Sequence, residues 1–198
     1  MTRGRSSIAA AIAAATLCFI LVTVLPTGCG GNDTGGLRTY HNDRYGFSLA
    51  FEDRFVDWKV ADVADQGVFG VAFADPDGAR AGDRYADAIL VAVIDLGQGT
   101  TPELAEQTRA ALRDRGAETL AALGDNVQTW PVTDVTINGS SGIVIPFAVT
   151  VQGTQVLGWD YMLIKDSYLY IIVVMSGESS WERNKDALRA AAHSFTAE

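Results

Sequence analysis

Two periodicities organise the hydrophobic positions of this chain. Between residues 45 and 51, Tyr45, Phe47, Leu49 and Phe51 alternate with Gly46, Ser48 and Ala50. Successive side chains of a strand point to opposite faces, so this stretch predicts a strand with one aromatic face buried. Residues 68–74 predict a second strand, ended by the turn cluster Asp75-Pro76-Asp77-Gly78. Residues 88–96 are apolar on both faces until Asp95 and predict a central strand covered on both sides. Four more strands are predicted at 132–137, 142–151, 154–164 and 168–175. The breaks between them, Asn138-Gly139, Gln152-Gly153 and Lys165-Asp166, are short enough to force antiparallel neighbours.

The helical period occurs twice. Thr101-Pro102 reads as a cap followed by proline at the first helical position. Leu104, Thr108, Ala111 and Leu112 then line one face. Gly116 predicts an end or interruption, with a second short helix over 117–123. Ser179 and Glu182 have the spacing of a capping box, Ser179 as cap and Glu182 reaching back. The helix they open carries Trp181, Asn184, Leu188, Ala191 and Phe195 on one stripe. Strands, a helix, a strand meander and a final helix predict an α+β domain, a mainly antiparallel sheet with helices packed on it.

The N-terminal residues follow neither period. Arg3 and Arg5 precede an uncharged apolar run over residues 8–25, and small residues close it. That is the layout of a secretory signal. Its ending, Pro26-Thr27-Gly28-Cys29, resembles a bacterial lipobox. The resemblance implies that the Cys29 sulfur takes a diacylglycerol and that Cys29 becomes the new N-terminus. Pro26 departs from it, standing where the lipobox usually has Leu. The alternatives are an ordinary cleaved signal or an uncleaved membrane span, for which the run is just long enough. The expected organisation is a signal at 1–28, a Gly-rich linker at 29–37 and a folded domain at 38–198.

Charge narrows the partners. The whole chain carries −9, and beyond residue 28 thirteen basic residues stand against 24 acidic ones, a net of −11. Such a surface repels phosphate backbones and argues against nucleic acid. The basic residues are scattered; only Arg109, Arg113 and Arg115 stand close together, as a solvated helix face would place them. Cys18 lies in the signal, and the domain beyond Cys29 has no cysteine, which excludes a disulfide or thiolate site there.

Little in the domain suggests catalysis. His41 and His193 are its two histidines. His41 with Asp43 has the donor types of a zinc or manganese site, and is weighed against a polar loop ahead of the first strand. His193 suits a cation at a helix C-terminus. Gly139-Ser140-Ser141-Gly142 lacks the spacing of a nucleophile elbow. Asp75, Asp77 and Asp83 lack the spacing and final Glu of a calcium loop and read as a solvated turn. Trp58, Trp130, Trp159 and Trp181 are expected mostly in the core, an exposed one marking a contact surface.

Two short stretches carry a family resemblance. The run Tyr40-His41-Asn42-Asp43-Arg44-Tyr45-Gly46-Phe47-Ser48-Leu49 is one, and Tyr168-Leu169-Tyr170-Ile171-Ile172 with a helix closing on Ser194-Phe195 is the other. With the helix and the Asn138-Gly139 hairpin between them, the chain resembles the PsbP-like family over about residues 38–195. That family comprises α/β/α sandwiches with a central antiparallel sheet, among them PsbP of photosystem II and many small bacterial lipoproteins. The resemblance implies a non-enzymatic domain that docks onto larger assemblies; some members bind metal ions, and no catalytic residue carries over. The resulting expectation is a cell-envelope lipoprotein without a cofactor. A lipid on Cys29, palmitate among its acyl chains, would hold it at the extracytoplasmic face of the cell membrane, bound to an envelope protein. The alternative is a ligand- or metal-binding lipoprotein.

Overall fold

A computed structural model describes residues 36–63, 68–97, 101–121 and 123–198. Residues 1–35, which include the expected signal, Cys29 and most of the linker, lie outside them. Strands β1 (Leu37–Asn42), β2 (Phe47–Glu52), β3 (Val56–Val63) and β4 (Val68–Ala74) come first. A small hairpin, β5 (Arg80–Ala81) and β6 (Arg84–Tyr85), precedes β7 (Ala88–Asp95) and helix α1 (Pro102–Leu120). Then follow β8 (Asp125–Thr129), β9 (Thr133–Ile137), β10 (Ser140–Val151), β11 (Thr154–Lys165) and β12 (Tyr168–Gly177). Helix α2 (Glu178–Ser194) and β13 (Thr196–Ala197) close the chain.

The main sheet runs β3-β4-β7-β12-β11-β10, and its outer edge beyond β10 is shared by β8 and β9. All its pairings are antiparallel. A second sheet, β1-β2-β13, joins the start of the domain to its end. One face of the main sheet packs an aromatic core, including Phe47, Phe51, Phe73, Tyr170 and Phe195, under α2 and the small sheet. The other face packs an aliphatic core, including Ile143, Ile145, Met162 and Ile171, against Leu112 and Leu120 of α1. A helix on each side of an antiparallel sheet is the expected α/β/α sandwich.

The strongly apolar strands fall where their pattern places them. Asn138 and Gly139, and Gln152 and Gly153, all have positive φ, as a two-residue turn matched to strand twist requires. The third reversal sits one residue later than its sequence suggests, with Asp166 at φ 51. Three differences stand out. Strands β1, β3 and β8 were not legible as strands, because they are polar edge elements with shallow burial. Leu37, expected in the linker, is the first residue of β1. Helix α1 runs unbroken through Gly116 to Leu120 instead of splitting in two. A glycine costs a helix about 1 kcal/mol, and burial of Leu112 and Leu120 on either side of it outweighs that. Among the described residues no helix is long and apolar enough to cross a membrane.

Candidate functional site

Two features stand apart from the apolar cores: a buried polar hub and a row of tryptophans. At the start of β7, Asp87 has 0 % of its surface exposed. Its Oδ1 accepts from Ser176 Oγ at 2.7 Å, Ser180 Oγ at 2.8 Å and Gly177 N at 3.0 Å. Its Oδ2 accepts from Ala79 N and Asn184 Nδ2, each at 3.0 Å. A buried carboxylate is costly unless its lone pairs are used, and here five donors converge on two oxygens. Burial pushes the Asp87 carboxyl up, but the Ala79 N–H, the two serine hydroxyls and the Gly177 N–H outweigh it and hold the group below the ordinary aspartate range. The turn before β5 must come close to achieve this: a Cβ on Gly78 would sit 2.7 Å from Asp87 Oδ2.

Arg54 extends the hub. Its Nη1 donates to Asp75 Oδ2 at 3.0 Å and to Asn184 Oδ1 at 3.2 Å, and its Nε to Glu52 Oε2 at 2.5 Å. Asp75 alone departs from the solvated turn its composition suggested, while Pro76, Asp77 and Asp83 stay exposed. Asp75 is buried and ion-paired, and its Oδ1 also accepts the Asp77 N–H. Asp83 bonds Gln152 instead, so the three carboxylates do not converge. The expected capping box is likewise replaced. Helix α2 begins at Glu178 after Gly177, with no side-chain cap hydrogen bond. The anion of Asp87, on a distant strand, takes the place of the local cap and faces the positive end of the helix dipole. Serine hydroxyls on a carboxylate suggest nucleophile chemistry, but both histidines lie elsewhere. The hub acts as a clamp that fixes α2 to β7 and β12.

The tryptophan row lies at the split edge of the sheet. β9 pairs with residues 140–144 of β10, and β8 with residues 147–150. Trp130 stands between β8 and β9, and its backbone N–H donates to Pro146 O at 3.0 Å. Pro146 has no N–H to return the bond, and β8 ends there. On its other side Pro146 faces Trp159 of β11. The Trp159 ring lies 4.6 Å from that of Trp181 on α2, and the Arg189 guanidinium lies 4.6 Å from the Trp159 centroid. Trp130 is 47 % exposed, whereas Trp58, Trp159 and Trp181 are half-buried, so none of the four is a fully buried core residue. Helix α2 packs on β2, β11 and β12, and Val144 of β10 packs against the core beneath it.

The histidine candidates are surface features. His41 Nε2 lies 2.8 Å from Asp43 Oδ1, both exposed, at the end of β1 and in the turn after it. No third His, Cys, Asp or Glu joins them in a metal-holding group among the described residues. His193 occupies the last turn of α2, edge-on to Tyr161. Arg113 reaches across from α1 to pair with Asp134 on β9, so this part of the basic cluster ties helix to sheet.

Among solved structures, cyanobacterial PsbP (CyanoP) from Synechocystis matches 86 % of this chain and 98 % of its own, at 17 % identity and a TM-score of 0.62. The fold is that of PsbP. A crystal structure from Bacteroides thetaiotaomicron matches 81 % of this chain and 48 % of its own, at 10 % identity and a TM-score of 0.52. No family model matches the chain, and no curated protein matches it in sequence.

The two stretches that carry the PsbP resemblance meet in space. Phe47 of β2 stacks on Phe195 with ring centroids 5.9 Å apart, and Ser48 pairs with Thr196. Ser194 Oγ both accepts from Ala50 N at 2.8 Å and donates to Ala50 O at 2.9 Å. Those motifs close the PsbP-like sandwich and bear no chemistry. The hub escaped sequence reasoning because Asp87 lies 89, 93 and 97 residues before Ser176, Ser180 and Asn184, which themselves sit four apart where β12 gives way to α2. The usable signals were a lone aspartate entering an apolar strand and, for the tryptophan row, a proline inside one.

Proposed function

We propose that this chain is an exported, lipid-anchored, non-enzymatic binding module at the extracytoplasmic face of a cell membrane, assembling with another envelope protein. One observation carries the anchoring: Cys29 follows a positive start, the uncharged run over 8–25 and small residues, and precedes a Gly-rich stretch. The acidic domain has little attraction for an anionic bilayer, and a diacylglyceryl cysteine supplies the two chains that stable anchoring needs. The PsbP fold and the half-exposed tryptophan row support a binding role.

The test is fractionation of cells making wild type and Cys29→Ser, with mass spectrometry of the mature N-terminus. Lipid on Cys29, and release or misprocessing of the variant, is the expected result. An unlipidated soluble protein, or an intact Met1 with full membrane retention of Cys29→Ser, would sink the anchoring. Affinity capture from detergent-solubilised membranes tests the partner separately.

A further inference from the structure

We infer that one corner of the domain, formed by the starts of β1 and β3 and the β5–β6 hairpin, rests on the headgroup layer of the bilayer that holds Cys29. Arg80, Tyr85 and Trp58 are its contact residues, and zwitterionic phospholipid is what they meet. The inference rests on the anchoring proposed above and assigns the surface that faces the membrane.

The tether decides which corner comes near. Gly36 is fastened to the domain: its N–H donates to Asp53 Oδ2 at 3.2 Å, and its carbonyl accepts from Asp53 N at 2.9 Å. Gly36 stands seven residues after Cys29, and seven residues span at most about 25 Å whatever path they take. Asp53 lies three residues before β3, and Arg38 of β1 bonds Asp57 of β3. Ala74, the last residue of β4, pairs with Val56, the first of β3, so the hairpin that follows β4 emerges at the same corner. Leu37, next to the fastening point, has 78 % of its surface exposed. The acyl chains on Cys29 therefore keep this corner at high local concentration over the bilayer, and a contact too weak to hold a free domain is filled.

The chemistry of the corner matches a headgroup layer. The Arg80 guanidinium lies 3.9 Å from the Tyr85 ring centroid, and Tyr85 stands edge-on to Trp58 at 5.2 Å. Arg80 is exposed, and both rings are half-buried. Tyrosine and tryptophan favour the headgroup level, where an apolar ring and its polar tip are both satisfied. A guanidinium suits phosphate, which it holds by parallel hydrogen bonds. Among the described residues no carboxylate pairs with Arg80, whereas Arg38, Arg54, Arg109, Arg113 and Lys185 are each ion-paired. Asp77 and Asp83, exposed in the turn before β5 and in the hairpin, suit the ammonium half of a head that carries both signs. Screening fades charges beyond about 8 Å at physiological ionic strength, so these local groups outweigh the acidity of the rest of the domain.

The test uses the chain purified from membranes and reconstituted into vesicles of phosphatidylethanolamine and phosphatidylcholine in equal parts, with bromine on the acyl chains close to the headgroup. Bromine quenches tryptophan on contact. Trp58 alone among the described tryptophans lies at this corner, since Trp130 stands at the opposite edge of the sheet, Trp159 on β11 and Trp181 on α2. Quenching is expected, and Trp58→Phe and Arg80→Gln should each reduce it about twofold or more. Arg80→Gln should keep the wild-type melting temperature, since Arg80 is exposed. Vesicles of phosphatidylglycerol should quench less, and stronger quenching there overturns the zwitterionic match. Quenching unchanged in Trp58→Phe, or equal in Arg80→Gln and wild type, overturns the assignment. So does Arg80-dependent binding of inorganic phosphate to the Cys29→Ser chain, which would mark a site for a free anion. Loss of a captured envelope partner in Arg80→Gln would make the corner a protein contact and overturn it too. Mass spectrometry of the same sample separates the two readings. Lipid on Cys29 with Trp58 unquenched removes this contact alone, whereas absence of lipid removes the anchoring and this contact with it.

Discussion

Ser180, in the first turn of the C-terminal helix, donates its hydroxyl to Asp87 across 2.8 Å and 93 residues of chain. A helix usually satisfies its first N–H groups with a side chain from its own N-terminus. Here a carboxylate from the mouth of a central strand accepts the Gly177 N–H and both serine hydroxyls, and the helix is placed by the sheet it covers.

Removal of that anion should be costly. Asp87→Ala leaves the Ala79 and Gly177 N–H groups without an acceptor and the two serine hydroxyls and the Asn184 amide with only their bonds to Gly177 O and to one another, and an unsatisfied buried group costs about 1–3 kcal/mol. The expected loss in chemical denaturation is at least about 3 kcal/mol. Ser180→Ala removes one donor and leaves the others, and should cost about 1 kcal/mol. Equal losses in the two variants would mean that Asp87 is not the centre of the hub.

The same group predicts an acid limit. The Asp87 carboxyl titrates below its ordinary value in the folded chain, so the unfolded state binds its proton first as pH falls. Its stabilisation is fully present above the unfolded value of about 3.9 and is lost as pH drops through the lower folded one. Unfolding free energy measured across that range should fall for the wild type. The wild-type advantage over Asp87→Asn should narrow below about pH 4.

An alkaline limit comes from Tyr170. Burial first, then Tyr168 and Asp166, push its phenol up to about 12, and its hydroxyl donates to Tyr45 O at 2.9 Å. The neutral phenol is the form the fold accepts. Its contribution is complete below the unfolded value of about 10 and is lost as pH rises toward the folded value. Burial also pushes the Tyr161 phenol up, so phenolate absorbance should show a late-titrating tyrosine component that is reduced, not abolished, in Tyr170→Phe. The same substitution should cost about 0.5–1.5 kcal/mol at neutral pH through the lost hydrogen bond.

Phe195 should be the costliest single truncation in the last turn. It is fully buried, with ring centroids 5.9 Å from Phe47 and 5.0 Å from Tyr170. Phe195→Ala is expected to destabilise by about 3–5 kcal/mol. Thermal unfolding decides it: a melting temperature equal to wild type would show that the closing contact between chain start and chain end does not hold the fold.

The parts legible in the sequence are those where one local pattern suffices. Residues 88–94 form a continuous apolar run and can only be a covered strand. Asn138-Gly139 and Gln152-Gly153 carry the backbone angles that a tight hairpin demands. The illegible parts depend on partners far along the chain. β1 and β8 alternate too weakly to declare themselves, and become strands because β2 and β10 offer them unpaired backbone. Ser179 had the spacing of a cap, yet the helix starts one residue before it because Asp87 was already in place beneath Gly177. The tryptophans looked like core by composition and stand at its margins, where a large ring can be apolar on one side and wet on the other.

The division of the outer strand into β8 and β9 has a consequence for how the molecule meets copies of itself. An unbroken flat edge offers a row of free amides on which another chain can polymerise into fibres. Here the ladder on β10 changes partner at Pro146, which has no amide to offer, and a bulky indole stands at the gap. At this edge an incoming strand meets only the two five-residue strands β8 and β9 with a gap between them, so addition of a further chain is disfavoured here, whereas the eight-residue β3 at the opposite edge keeps that capacity.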